Sequence, residues 1–112
     1  MHMFRMAVMG TALLGLLATP AAAQDAKVAK GEALYASQKC ALCHAIDGKG
    51  NKKFPLDGVG KTATADLVKL WLTDPKAAEA KTGKAGKPAM RSFAKLAADE
   101  VDALVAYMLS LK

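Results

Sequence analysis

Apolar residues recur at helical spacing in three stretches of the chain, and the segments between them are rich in glycine, lysine and proline. The last stretch is the clearest. From about Asp99 to Leu111, the residues Val101, Leu104, Val105, Met108 and Leu109 follow the i, i+3, i+4, i+7, i+8 pattern of a stripe facing a core. A middle stretch opens at Thr64, placed as an N-cap, carries Leu67, Val68, Leu70, Trp71 and Leu72, and ends at Asp74-Pro75. It is apolar almost all round, which predicts a largely buried helix. The first stretch, from about Asp25 to Gln38, puts Val28, Gly31 and Tyr35 on one face, with Asp25 as its cap. Glycine weakens a helix interior, so Gly31 points to close approach by another element.

No run alternates long enough to read as a strand. From Asp47 to Lys61 glycine, lysine, asparagine and proline follow so closely that the whole segment reads as loop. Pro75 to Ala89 reads the same way, and a loop of that length inside a compact domain is a functional or mobile one. The pattern therefore predicts an all-α domain with three main helices.

The chain of 112 residues has room for one domain, and its start is of a different kind. Arg5 supplies positive charge, Met6 to Ala18 is apolar apart from Gly10, Thr11 and Gly15, and Pro20 precedes Ala21-Ala22-Ala23. That is the order of a secretory signal peptide with an Ala-x-Ala cleavage site. The apolar run is short for a bilayer crossing, and an uncleaved anchor fits the triplet less well. Residues 1–23 are expected to be removed, leaving 24–112 as the folded domain, in the periplasm and with no stable membrane insertion.

Loss of Arg5 lowers the formal charge from +6 to about +5 and leaves Arg91 as the domain's only arginine. A lysine-rich surface suits acidic protein patches, where opposite charge mostly raises the association rate; it also serves simply to keep an exported protein soluble. Nucleic acid is a poor reading of the same charge and is not expected as a partner, because the domain is expected to be exported, keeps a single arginine and shows no nucleic-acid motif. A domain of this size with few aromatics is a marginal builder of cores, and an added staple is expected.

The two cysteines lie in Cys40-Ala41-Leu42-Cys43-His44, the spacing of a c-type haem attachment. On one helical turn, residues three and four apart project from the same side, so two thiols reach one edge of a planar macrocycle and the imidazole stands beneath its iron. A dithiol redox site would open a helix in a βαβ setting, and no strands are predicted. Zinc would need four ligands, whereas the domain offers two cysteines and His44 alone.

With His44 the only histidine after cleavage, the sixth iron position falls to methionine, lysine, water or nothing. Met90 and Met108 are the methionines left. Met108 belongs to the apolar stripe of the last helix. Met90 sits in a loop with no stripe to belong to, placed either to ligate the iron or to cover the haem; a His/Met pair raises the reduction potential.

These residues resemble the class I c-type cytochromes over nearly the whole domain. Gly31-Glu-Ala-Leu-Tyr35 is similar to the family's N-terminal helix, Leu104-Val-Ala-Tyr107 to the helix crossing it at a glycine, and Met90 to Val101 to the stretch running from the axial methionine. Arg91 stands where family members often have proline, and Pro55-Leu-Asp-Gly58 is one residue shorter than the commonest form. The resemblance implies the cytochrome c fold, loops wrapped around one haem c bound covalently through Cys40 and Cys43, and iron ligated by His44 and Met90. It also implies that the Pro55 carbonyl accepts a hydrogen bond from the proximal imidazole. Trp71 is then either a donor to a haem propionate or an ordinary buried aromatic.

The function so implied is a monomeric carrier of single electrons, not an enzyme, since no acid–base pair remains once His44 is used. Lys39, Lys49, Lys53 and Lys87 are expected to steer it to acidic patches on a dehydrogenase, cytochrome reductase or oxidase.

Overall fold

The structure, a computed structural model, describes Gly10 and residues 19–112. Most of the expected signal peptide lies outside the described residues.

Helix α1 spans Pro20–Ser37, so it starts ahead of the Asp25 that the sequence suggested as its cap. In the uncut chain Thr19 caps it, its hydroxyl accepting the Ala22 N–H, with Pro20 at the first helical position where no N–H is needed, while Asp25 comes to the helix start only on removal of residues 1–23. Helix α2, Val59–Thr62, is one turn; α3 covers Ala65–Thr73, α4 Pro75–Thr82 and α5 Ala98–Ser110. Among the described residues no helix is long and apolar enough to cross a membrane.

Two segments read as loop contain structure. Pro75–Thr82 forms α4 because Asp74 caps it through the Ala77 N–H, Pro75 starts it, and Gly83 stops it in the left-handed region at φ 71°. Its residues are mostly small or charged, so no apolar stripe announced it. Residues 44–55 hold a three-stranded sheet of short strands, β1 (His44–Ile46), β2 (Lys49–Gly50) and β3 (Phe54–Pro55), in the order β2-β1-β3. Asp47 and Gly48, at φ 52° and 76°, form the two-residue turn joining antiparallel β1 and β2. Strands of two or three residues are too short to show alternation.

The α1–α5 pair frames the molecule. At Gly31 the helices touch backbone to backbone: a Cβ there would fall onto the Ala103 carbonyl oxygen and lie 2.6 Å from the Tyr107 Cβ. The Tyr35 and Tyr107 rings meet edge to face beside this crossing, 5.7 Å apart. An exposed ion pair, Lys30 to Asp99 at 2.6 Å, joins the same two helices.

The core proper is Val68 and Leu72 of α3, Phe93, and Val101, Leu104, Val105 and Met108 of α5. Met108 fills the core, in keeping with its place on the stripe. The expectation for α3 needs correction: Val68 and Leu72 are buried, but Leu67, Leu70 and Trp71 are only half-buried. One face of α3 meets α5 and α4; among the described residues no other helix or strand packs against it.

The Tyr35 hydroxyl is enclosed and has no hydrogen-bond partner among the described residues, and burial pushes its pKa up to about 12 from an ordinary 10.0. The folded state thus holds the phenolic proton more tightly than the unfolded chain does. The resulting stability is fully present below the ordinary value and is lost as pH rises through the folded one. We expect Tyr35→Phe to be neutral or stabilising by about 1 kcal/mol at pH 7, because it removes an unsatisfied buried donor. The variant should also lose less stability between roughly pH 10 and pH 12. Urea midpoints of the two proteins at neutral and alkaline pH check both statements; a variant that lost stability in parallel with the parent would contradict the second.

Candidate functional site

The chain leaves α1 at Gln38, turns through Lys39 in the left-handed region at φ 58°, and enters a 3-10 turn at Cys40–Leu42. This tight turn carries the thiols. Cys40 is half-buried, Cys43 is exposed, and neither is in a disulfide. Burial pushes the Cys40 thiol pKa up, and the positive charge of Arg91 works against it.

His44 follows as the first residue of β1. Its Nδ1 lies 3.0 Å from the carbonyl oxygen of Phe54. A carbonyl only accepts, so Nδ1 carries the proton, and the neutral ring offers its lone pair at Nε2. The acceptor is therefore Phe54 and not Pro55. The parallel register sets Phe54 opposite His44 and Pro55 opposite Ala45, which puts the proline one residue too far along for the imidazole. The bond fixes the ring's orientation.

Asn51, which carries no motif and was missed in the sequence, braces the turn. Its backbone N–H reaches the carbonyls of Ala41 and His44, each at 3.0 Å, and its side-chain amide donates to the Leu42 carbonyl at 3.1 Å. Gly50, at φ 104°, is required beside it, since a Cβ would collide with the His44 carbonyl.

Met90 is half-buried and packs against the core cluster from the segment between α4 and α5. Hydrogen bonds hold this segment on several sides. The Ser92 hydroxyl donates to the Thr73 carbonyl at 2.9 Å and the Phe93 N–H to the Leu72 carbonyl at 2.6 Å, fixing it to α3. The Lys53 ammonium donates to the Lys87 carbonyl. The Arg91 guanidinium donates to the Gln38 carbonyl at 2.6 Å. Trp71 is half-buried on α3, and Pro55 is exposed in β3.

The donor chemistry is that of a covalently held porphyrin. Two free thiols three residues apart and an imidazole with its lone pair at Nε2 come from one short turn, and a half-buried thioether comes from a separately tethered segment. Among the described residues no group of three or more histidine, cysteine, aspartate or glutamate side chains is placed to hold a metal ion. A helical domain with such a turn belongs to the class of c-type cytochromes.

The cytochrome c family model matches residues 28–112, and the chain belongs to that family. No curated protein and no solved structure gives a match. Family membership carries the fold, a covalently bound haem c and electron transfer by a haem protein, and the family is generally one of carriers and not of enzymes.

Proposed function

We propose that the protein is a periplasmic monohaem carrier of single electrons, with haem c held by Cys40 and Cys43 and its iron ligated by His44 and Met90. The haem would supply the one-electron couple. The chain's own residues orient, enclose and tune it. Phe54 holds the His44 ring through Nδ1, Asn51 holds the backbone of the attachment turn, and the half-exposed face of α3 with Leu67, Leu70 and Trp71 offers apolar cover. Trp71 is the candidate donor to a propionate, and Pro55 is left with a role in closing the β1–β3 pairing.

The observation that carries the reading is the attachment turn itself: both thiols free, and the imidazole proton engaged at Nδ1. The test is Met90→Ala in the haem-loaded protein. We expect loss of the sulfur-to-iron charge-transfer band in the oxidised form, ready carbon monoxide binding in the reduced form, and a lower reduction potential. An unchanged six-coordinate low-spin spectrum would remove Met90 as a ligand.

Lys39, Lys49, Lys53 and Lys87 are all exposed on segments next to the attachment turn or the Met90 loop. They suit acidic patches on a dehydrogenase, reductase or oxidase. Transfer rates to an acidic redox partner should then fall as ionic strength rises, because salt screens exposed charges beyond about 8–10 Å. Rates independent of salt would sink the docking role.

A further inference from the structure

Arg91 follows Met90 and is the only arginine of residues 24–112, among many lysines. Its guanidinium performs two tasks at once. It donates to the Gln38 carbonyl at 2.6 Å, and it stacks 4.7 Å above the centre of the Phe93 ring. Gln38 caps the C-terminus of α1, where carbonyls lack helical partners and the helix dipole favours a cation. It lies two residues before Cys40.

The remaining ties of the Met90 segment go elsewhere. Ser92 and Phe93 fix it to α3, and Lys87 meets Lys53 beside β3. Among the described residues only Arg91 bonds this segment to the end of α1, from which the attachment turn departs. A lysine supplies the charge but not the flat face that stacks on Phe93 while a fork of donors reaches the carbonyl.

We propose that Arg91 is a positioning residue for the sixth iron ligand: it clamps the loop after Met90 to the end of α1, so that thioether and imidazole are held by one frame. The proposal rests on Met90 as the ligand. A thioether on a loop leaves the iron as often as the loop opens, and an external ligand binds in proportion to the open fraction. Releasing the clamp raises that fraction.

The experiment is titration of the oxidised, haem-loaded protein with imidazole, with hydrogen exchange followed alongside, for the parent, Arg91→Ala, Arg91→Lys and Met90→Ala. Arg91→Ala should bind imidazole about tenfold more tightly than the parent, a change of about 1.4 kcal/mol. Arg91→Lys should fall between them, and it carries the test if the alanine variant does not fold. Amides from Met90 to Phe93 should exchange faster in Arg91→Ala, with those of α1 and α5 unchanged. If Met90→Ala gains imidazole affinity and Arg91→Ala does not, the clamp is wrong and the Met90 reading stands. If Met90→Ala gains none, both fall. Faster exchange throughout α1 and α5 in the arginine variants would make Arg91 a general stabiliser and overturn the positioning role.

Discussion

Alanine at Gly31 is expected to lower the stability of the protein by about 2 kcal/mol, within the range for overpacking a close contact. On helix propensity alone the same change should stabilise by up to about 1 kcal/mol, so the sign of the result decides which effect governs the site. The clash should win because the new methyl meets the Ala103 carbonyl oxygen, a backbone atom that cannot rotate away. Relief would require α1 and α5 to part, opening the Tyr35–Tyr107 contact next to it. For a domain of this size each kcal/mol moves the melting temperature by roughly 4–8 °C, so the variant should melt about 10 °C below the parent. Truncating Tyr107 to glycine, which removes the Cβ that the new methyl would also meet, should not rescue it. Rescue would mean that the limiting contact is the tyrosine side chain and not the backbone.

The double variant Cys40→Ala, Cys43→Ala, which cannot hold haem covalently, should be largely unfolded at room temperature. The buried cluster is drawn from α3, Phe93 and α5, and in residues 38–58 only Ala45 is buried. Ordering that segment costs on the order of 1–2 kcal/mol per residue in backbone entropy, with almost no apolar burial of its own to offset it. The attachment turn, the sheet and the half-exposed face of α3 thus contribute little core of their own. A folding energy that depends on a bound group is lost with the group. Circular dichroism of the double variant, followed against temperature, checks this. A sigmoidal melt from native helix content would show that the polypeptide core suffices alone.

The two experiments probe the two kinds of information in the chain. The stripe of α5, the Thr64 cap of α3 and the spacing of Cys40, Cys43 and His44 were legible because each is local: a period, a cap or a motif lies within one turn or a few turns of chain. Gly31 was legible as a place of close approach, since a glycine inside a helix has a cost that some contact must explain. Helix α4 was missed because no apolar stripe lies between Asp74 and Gly83, and Asp74-Pro75 was legible only as the end of α3. The hairpin at Asp47-Gly48 was likewise not legible, because its strands are too short to alternate.

What the sequence by itself determined is therefore the helical class, the attachment motif with its histidine, and the crossing at Gly31. Tertiary structure decided which carbonyl meets the imidazole, because a one-residue register in β1–β3 selects Phe54 over Pro55. It also brought Arg91 to Gln38 and Asn51 to the attachment turn. The physical reason is reach: periodicity and motifs report contacts within one element, whereas a hydrogen bond between residues far apart in sequence depends on how separate elements pack, and no local pattern encodes that.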